Sequence, residues 1–259
     1  NSHKYMEFNR NFWMLYHYIE SPESFKLKIK TPSSGIMSEV TIAAVESTQV
    51  ANAVMNNTKN ETVDQIPLSF SKINNIGIFK VKSFNYYDLQ QYKIKLAEYF
   101  KEIEKEQFPF LIVDLRGNTG GHPELAADLL SYFISSPAPY LNQPNDKRYA
   151  NLLKQLQPKG VKISSTLFFL CDGNSLSSTG HFLSFVKSMK LALIIGDTPG
   201  GSFVCNDEAK LFDLPHSGLQ LAVAQTTLSV AAKGFKQGDE IIPDHLIKPT
   251  ITDILKGND

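Results

Sequence analysis

The stretch Leu170-Cys171-Asp172-Gly173-Asn174-Ser175-Leu176-Ser177-Ser178-Thr179-Gly180 reads as a strand turning into a helix. Before it, Leu167-Phe168-Phe169-Leu170 is a continuous apolar run, the pattern of a strand covered on both faces. After it, Phe182, Phe185, Val186 and Met189 recur at i, i+3, i+4 and i+7, the period of one helix face. Ser177 falls at the junction. A hydroxyl placed there projects beyond the carboxyl end of a sheet, beside N–H groups that a first helical turn leaves unpaired. Two roles fit that place. One is a nucleophile with an oxyanion site next to it; the other is an N-cap serine in a tight turn.

The same grammar extends to both sides. Upstream, residues 76–81 read as a strand, and Asn85 is placed to cap a helix whose Leu89, Tyr92, Leu96, Tyr99 and Ile103 share one stripe. Phe110-Leu111-Ile112-Val113 is a second short apolar strand. It leads into Asp114-Leu115-Arg116-Gly117-Asn118-Thr119-Gly120-Gly121 and then a helix with Leu125, Leu129, Leu130 and Phe133 inward. Residues 136–160 hold four prolines and little pattern, so they read as a surface insertion. Downstream come a strand over 191–195, the loop 196–202, and two alternating strands around Leu211 and 219–223.

Strand–helix alternation from 76 to 195 predicts an α/β fold with a mainly parallel sheet. In such sheets functional groups gather beyond the carboxyl ends of the strands. The loops 114–121, 171–178 and 196–202 all lie there, and the first and third carry Gly-Gly, which lets a bound group approach the backbone.

The N-terminal part differs. Residues 5–18 predict a helix with Phe8, Phe12, Leu15 and Tyr16 on one face. Phe25, Leu27 and Ile29 alternate with lysines as a half-buried strand, and Val40, Ile42 and Ala44 return as its hairpin partner. Residues 49–63 are polar and read as a flexible connection. The expected division is therefore a partial N-terminal segment over 1–63 and a core over 64–259.

Charge and composition exclude several classes. Lys+Arg and Asp+Glu both number 26, so no basic excess exists to neutralise phosphates, and nucleic acid is not an expected partner. No apolar stretch approaches the ~18 residues of a membrane span, and the first residues lack the apolar core of a signal peptide. The two cysteines, Cys171 and Cys205, form no CxxC pair, so neither a metal site nor a thioredoxin-like site is expected, and no cofactor is implied. The Gly-Gly loops match neither GxxxxGK[ST] nor GxGxxG, and Ser177 has no GxSxG around it. His181, one turn after Ser177, reads as a polar surface or capping residue, and His122, His216 and His245 fall in turn-like segments.

Taken together, the loops resemble the tail-specific (C-terminal processing) serine peptidases. Leu111-Ile112-Val113-Asp114-Leu115-Arg116-Gly117-Asn118-Thr119-Gly120-Gly121 is similar to their signature strand and loop. Asn174-Ser175-Leu176-Ser177-Ser178-Thr179-Gly180 is similar to their N-T-x-S-A-x-E turn, and 195–201 to their Gly-Glu-x-Thr-x-Gly segment. The closing Ile242-Pro243-Asp244 matches their Pro-Asp, and the order agrees over roughly residues 76–255.

The resemblance implies a ClpP/crotonase-like spiral of ββα units, a peptide or protein substrate, and an exported location. It implies Ser177 as nucleophile. The oxyanion hole it implies joins the N–H of Ser178 to that of Gly120 or Gly121. Asp114 and Arg116 are expected to be structural. The lysine of the family's Ser–Lys dyad would fall at Gly201, with the nearest downstream lysine at Lys210, so the chain resembles the tricorn-like and retinoid-binding-protein-like branch. That branch's Gly-Asp-Gly-His-like segment does not occur, and its acidic partner falls at Gln237 without a gap or at Glu240 with one. The expectation is therefore a nucleophile whose base is supplied from upstream of residue 1. The alternatives are a non-catalytic peptide- or lipid-binding module on the same fold and a crotonase-type acyl-CoA enzyme.

Overall fold

Apolar strands with helices between them bury both faces when the strands pair in parallel and the helices cover the sheet. The computed structural model describes residues 22–30, 35–45, 49, 65–142, 147–216, 218–236, 238–248, 250 and 253. Within it, β3 (Leu68–Ile73), β4 (Ile76–Val81), β5 (Phe110–Asp114), β6 (Thr166–Cys171), β7 (Leu193–Gly196) and β10 (His245–Leu246) form a six-stranded sheet in the order β10-β7-β6-β5-β4-β3. Every neighbouring pair is parallel except β3 with β4. The sequence pattern places β4 to β7; β3 is an antiparallel edge strand that the apolar pattern does not mark. Its signal is Asn74-Asn75, a two-residue turn in which Asn74 adopts φ 53° and closes the hairpin.

Helix α1 (Leu89–Glu106) joins β4 to β5, α2 (Pro123–Leu130) follows β5, and α3 (Ser178–Met189) joins β6 to β7. The cap of α1 is Asp88, whose carboxylate accepts from Gln91 N at 2.9 Å; Asn85 instead donates its own N–H to Ser83 Oγ. The buried face of α1 is Tyr92, Leu96, Phe100 and Ile103. Aromatic rings fill much of the core: Phe100 stacks on Tyr132 with centroids 4.1 Å apart, and Phe169 meets Phe182 at 5.4 Å. Each fully buried ring of this kind contributes about 2–3 kcal/mol.

The Pro-Asp near the end of the sheet has a structural task. Asp244 accepts from Ile194 N at 2.9 Å, pairs with Lys187, and returns its own N–H to Ile194 O at 2.8 Å. Burial alone would raise its carboxyl, but the Ile194 N–H and Lys187 outweigh that and hold it below its ordinary value. That fastening brings β10 alongside β7.

The described residues form two compact units, one spanning Ile66–Ile247 and one that holds β1 (Ser24–Lys30) and β2 (Met37–Ala43). The expected antiparallel β1–β2 hairpin forms, pairing Leu27 with Val40, but it is not half-buried: Leu27, Ile29, Val40 and Ile42 are 40, 48, 37 and 45 % exposed. It is a two-stranded ribbon with no second layer on it among the described residues. The helix expected over 5–18 and most of the connection expected over 49–63 lie outside those residues. After β7 the chain makes a long antiparallel hairpin, β8 (Val204–Asp213) with β9 (Gln220–Ser229), whose strands run further than the sequence pattern indicates.

Candidate active site

The three loops beyond β5, β6 and β7 are sewn together by short hydrogen bonds. Leu176 N donates to Asn118 O at 3.0 Å, Gly117 N to Asp172 Oδ1 at 3.0 Å and Gly201 N to Ser175 O at 2.9 Å. Ser178 Oγ donates to Gly121 O at 2.6 Å, and the buried Ser175 hydroxyl to Leu115 O at 3.0 Å. Asp114 and Arg116 form a two-pronged pair, both contacts at 2.9 Å, in keeping with a structural role.

Ser177 stands out in this frame. Its backbone sits at φ 50°, ψ −124°, a region that L-residues with a side chain avoid and that costs about 1–3 kcal/mol. It holds the N-cap place of α3, yet its hydroxyl makes no capping hydrogen bond. Capping therefore does not account for this serine. The residue is half-buried and lines an open cleft of about 520 Å³ together with His122, Glu124, Arg148, Tyr149, Cys205 and Asp207.

The glycines opposite it permit a close approach. At Gly120 (φ +96°) a Cβ would lie 2.7 Å from Ser177 Cβ and 3.0 Å from Ser178 N. At Gly121 (φ +137°) it would lie 2.2 Å from the carbonyl carbon of Phe84. Ser177, Ser178, Gly120 and Gly121 are thus brought together. Their N–H groups differ, however: Gly120 N donates to the buried Asn118 side chain at 2.9 Å, which in turn donates to Val81 O at 3.0 Å. Among the described residues Gly121 N and Ser178 N donate no hydrogen bond.

Cys205 and Cys171 are both free thiols. The Cys205 thiol lies beside the Ser177 hydroxyl; burial pushes it up to about 11, the hydroxyl working against that and Asp207 with it. The place expected for a dyad lysine is closed by backbone: a Cβ at Gly201 would lie 2.9 Å from Gly180 Cα and 3.0 Å from the Leu176 carbonyl carbon. Lys210 lies over the Phe212 ring at 5.2 Å, Glu240 is exposed, and Gln237 lies outside the described residues. Among the described residues no His or Lys nitrogen is hydrogen-bonded to Ser177 Oγ, and no group of three or more His, Cys, Asp or Glu is gathered to hold a metal ion.

His181 corrects the sequence reading. It is fully buried, not on the surface, with its ring edge-on to Tyr140 at 6.4 Å and both ring nitrogens without a hydrogen bond of ordinary geometry. Burial lowers the imidazole to about 4, against a weaker pull from the Leu228 backbone. The folded value lies below the unfolded 6.5, so its stabilising share is complete above pH 6.5 and lost as pH falls towards 4. At ~1.4 kcal/mol per pH unit that is a loss of about 3 kcal/mol. Denaturant titrations across that window should show it in the native chain and a flatter profile in His181→Leu.

Of the cleft residues, Glu124, Arg148, Tyr149, Asp207 and Leu228 were not singled out from the sequence. Arg148 and Tyr149 lie on a 3-10 turn (Lys147–Leu153) inside the unpatterned insertion, and only the fold carries it to the cleft.

A model of peptidase family S41 matches residues 75–247 of the chain. The carboxy-terminal processing protease CtpB of Bacillus subtilis (strain 168) is 23% identical over 130 residues, 49% of this chain and 25% of that protein. The photosystem II D1 C-terminal processing protease superposes with a TM-score of 0.55 at 16% identity, over 92% of this chain and 59% of that one. Mature CPAF does so with a TM-score of 0.62 at 14% identity, over 92% and 65%. The chain thus spans a quarter of the curated relative and under two thirds of these solved chains. No helix among the described residues is long and apolar enough to cross a membrane.

Proposed function

This chain belongs to peptidase family S41, and on that premise we propose that residues 64–259 form the core of a serine peptidase with Ser177 as its nucleophile. Ser177 Oγ attacks the carbonyl carbon of a peptide bond lying in the cleft. The oxyanion that forms is held by the N–H groups of Gly121 and Ser178, two donors on a stitched backbone that need not reorganise as charge develops. The tetrahedral species then collapses: the C–N bond breaks, the amine leaves with a proton, and a Ser177 ester remains for water to hydrolyse. Gly120 serves by having no side chain, so that its loop can lie against Ser177. The base that accepts the Ser177 proton comes from outside the described residues. An extracytoplasmic location and the ClpP/crotonase-like description of the fold belong to the same proposal, on the strength of the motif resemblance.

The observation that carries this reading is the Ser177 backbone. A serine held at φ 50°, with its hydroxyl in a cleft instead of on the helix end, is strained without a structural return. The test is incubation of the full-length protein with an unstructured polypeptide, read by mass spectrometry. New amino and carboxyl ends from internal cleavage are expected; an intact polypeptide that remains bound would favour the alternative reading, a peptide-binding module. That second reading draws on one observation, the lack of a described His or Lys on Ser177 Oγ.

A further inference from the structure

The charges that line the cleft do not balance. Tyr149 OH donates to Asp207 Oδ2, Arg148 Nη2 lies 3.8 Å from the same oxygen, and the Arg148 guanidinium covers the Tyr149 ring at 5.3 Å. Asp207 is thereby provided for. Glu124 is not. It stands in the first turn of α2, half-buried, on the lining of the same cleft as Ser177, and among the described residues it has no hydrogen bond and no ion pair. The helix start behind it favours a carboxylate in that place. On the cleft wall Tyr149 is raised first by burial and by its bond to Asp207, and Glu124 adds to that in the same direction.

A lone carboxylate half-buried on a partly apolar wall attracts a cation more strongly there than in open water. We propose that Glu124 is a specificity-determining residue, selecting a lysine or arginine side chain of the substrate near the scissile bond. The Tyr149 ring and Leu228, both buried and both on the cleft lining, would take the aliphatic stem of that side chain while its charged head meets Glu124. The inference rests on Ser177 marking the point of cleavage.

The experiment separates selection from catalysis. Fluorescein-labelled unstructured peptides, in matched sets with Lys, Gln or Glu at successive positions, are titrated onto full-length Ser177→Ala protein by anisotropy. At one or two positions Lys is expected to bind about tenfold tighter than Gln, a difference of ~1.4 kcal/mol. The preference should shrink in 1 M salt, vanish in Glu124→Gln and invert towards Glu in Glu124→Lys. Equal binding of Lys and Gln peptides at every position, a Lys preference insensitive to salt, or one that survives Glu124→Gln would each overturn the assignment. Turnover by the Ser177-intact protein is measured separately, so a failure of the nucleophile assignment appears there and leaves the binding result to be judged by itself.

Discussion

Replacing Ser177 by alanine is expected to reduce kcat by about 10⁴- to 10⁶-fold while leaving the melting temperature nearly unchanged. Alanine removes the attacking oxygen but keeps the Cβ, and the Cβ is what makes φ 50° unfavourable. The strain therefore stays. Ser177→Gly separates the two effects: it removes the same oxygen and also the strain, so it should be as inactive as the alanine variant yet more stable by about 1 kcal/mol. An inactive variant more stable than the native chain is what a strained catalytic residue predicts. A capping serine predicts the reverse, since losing a cap costs about 1 kcal/mol in the alanine variant and a few tenths of a kcal/mol in the glycine one. Thermal melts of the three proteins, with peptide turnover alongside, decide between them.

The second large effect is expected at Gly120. A methyl group there would lie 2.7 Å from Ser177 Cβ, 2.9 Å from Leu176 O and 3.0 Å from Ser178 N, against the backbone of the Ser177 turn. Either the first loop or the Ser177 turn must retreat, and a displacement of ~1 Å at a reacting group costs on the order of 100-fold in rate. Gly120→Ala should lose at least that much activity and about 1–3 kcal/mol of stability from overpacking, in addition to the left-handed backbone penalty. Gly117→Ala is the matched control. Gly117 also has a positive φ, +75°, but a Cβ there meets nothing within 4 Å. It should show the backbone penalty alone, and comparable activity losses at both glycines would count against close packing as the reason for Gly120.

The frame of the fold was legible because its strands are short, apolar and bounded by turn residues. Phe110-Leu111-Ile112-Val113 and Leu167-Phe168-Phe169-Leu170 fall inside β5 and β6, but the unbroken apolar runs overstate their cover: Leu111, Val113 and Phe169 are buried on one face, whereas Ile112, Phe168 and Leu170 on the other are half-buried and Phe110 is exposed. What failed was local. Asn85 and Asp88 are both capping residues, and only the chain path after β4 decides that Asp88 starts α1. The β1–β2 ribbon alternates as a half-buried strand does, yet its apolar residues stay exposed, since alternation reports a preference for a covering layer and among the described residues none lies on it. His181 lies on a helix whose every residue from Ser178 to Val186 is buried, and no sequence period distinguishes that from a helix with one exposed face.

The site divides the same way. Ser177, Ser178, Gly120 and Gly121 sit in turns whose glycines and small polar residues are themselves the signal. That Gly120 N is taken by Asn118, leaving Gly121 N, depends on an Asn side chain two residues back, a contact with no sequence signature. The walls are supplied by distant elements: Glu124 by α2, Arg148 and Tyr149 by the insertion, and Cys205, Asp207 and Leu228 by the β8–β9 hairpin. Cys205 and Asp207 lie two apart on β8 and Leu228 pairs with Cys205, so one face of that hairpin lines the cleft.

The most direct test of the central claim is covalent. A fluorophosphonate reacts with a serine oxygen only where the hydroxyl is activated and an oxyanion site receives the phosphoryl oxygen. The full-length protein is treated with the probe, digested and read by tandem mass spectrometry. A single adduct on the peptide containing Ser177, missing in Ser177→Ala and strongly reduced in Gly120→Ala, is the predicted result. No adduct under conditions in which the protein cleaves peptide, or an adduct on another serine that survives Ser177→Ala, would contradict it.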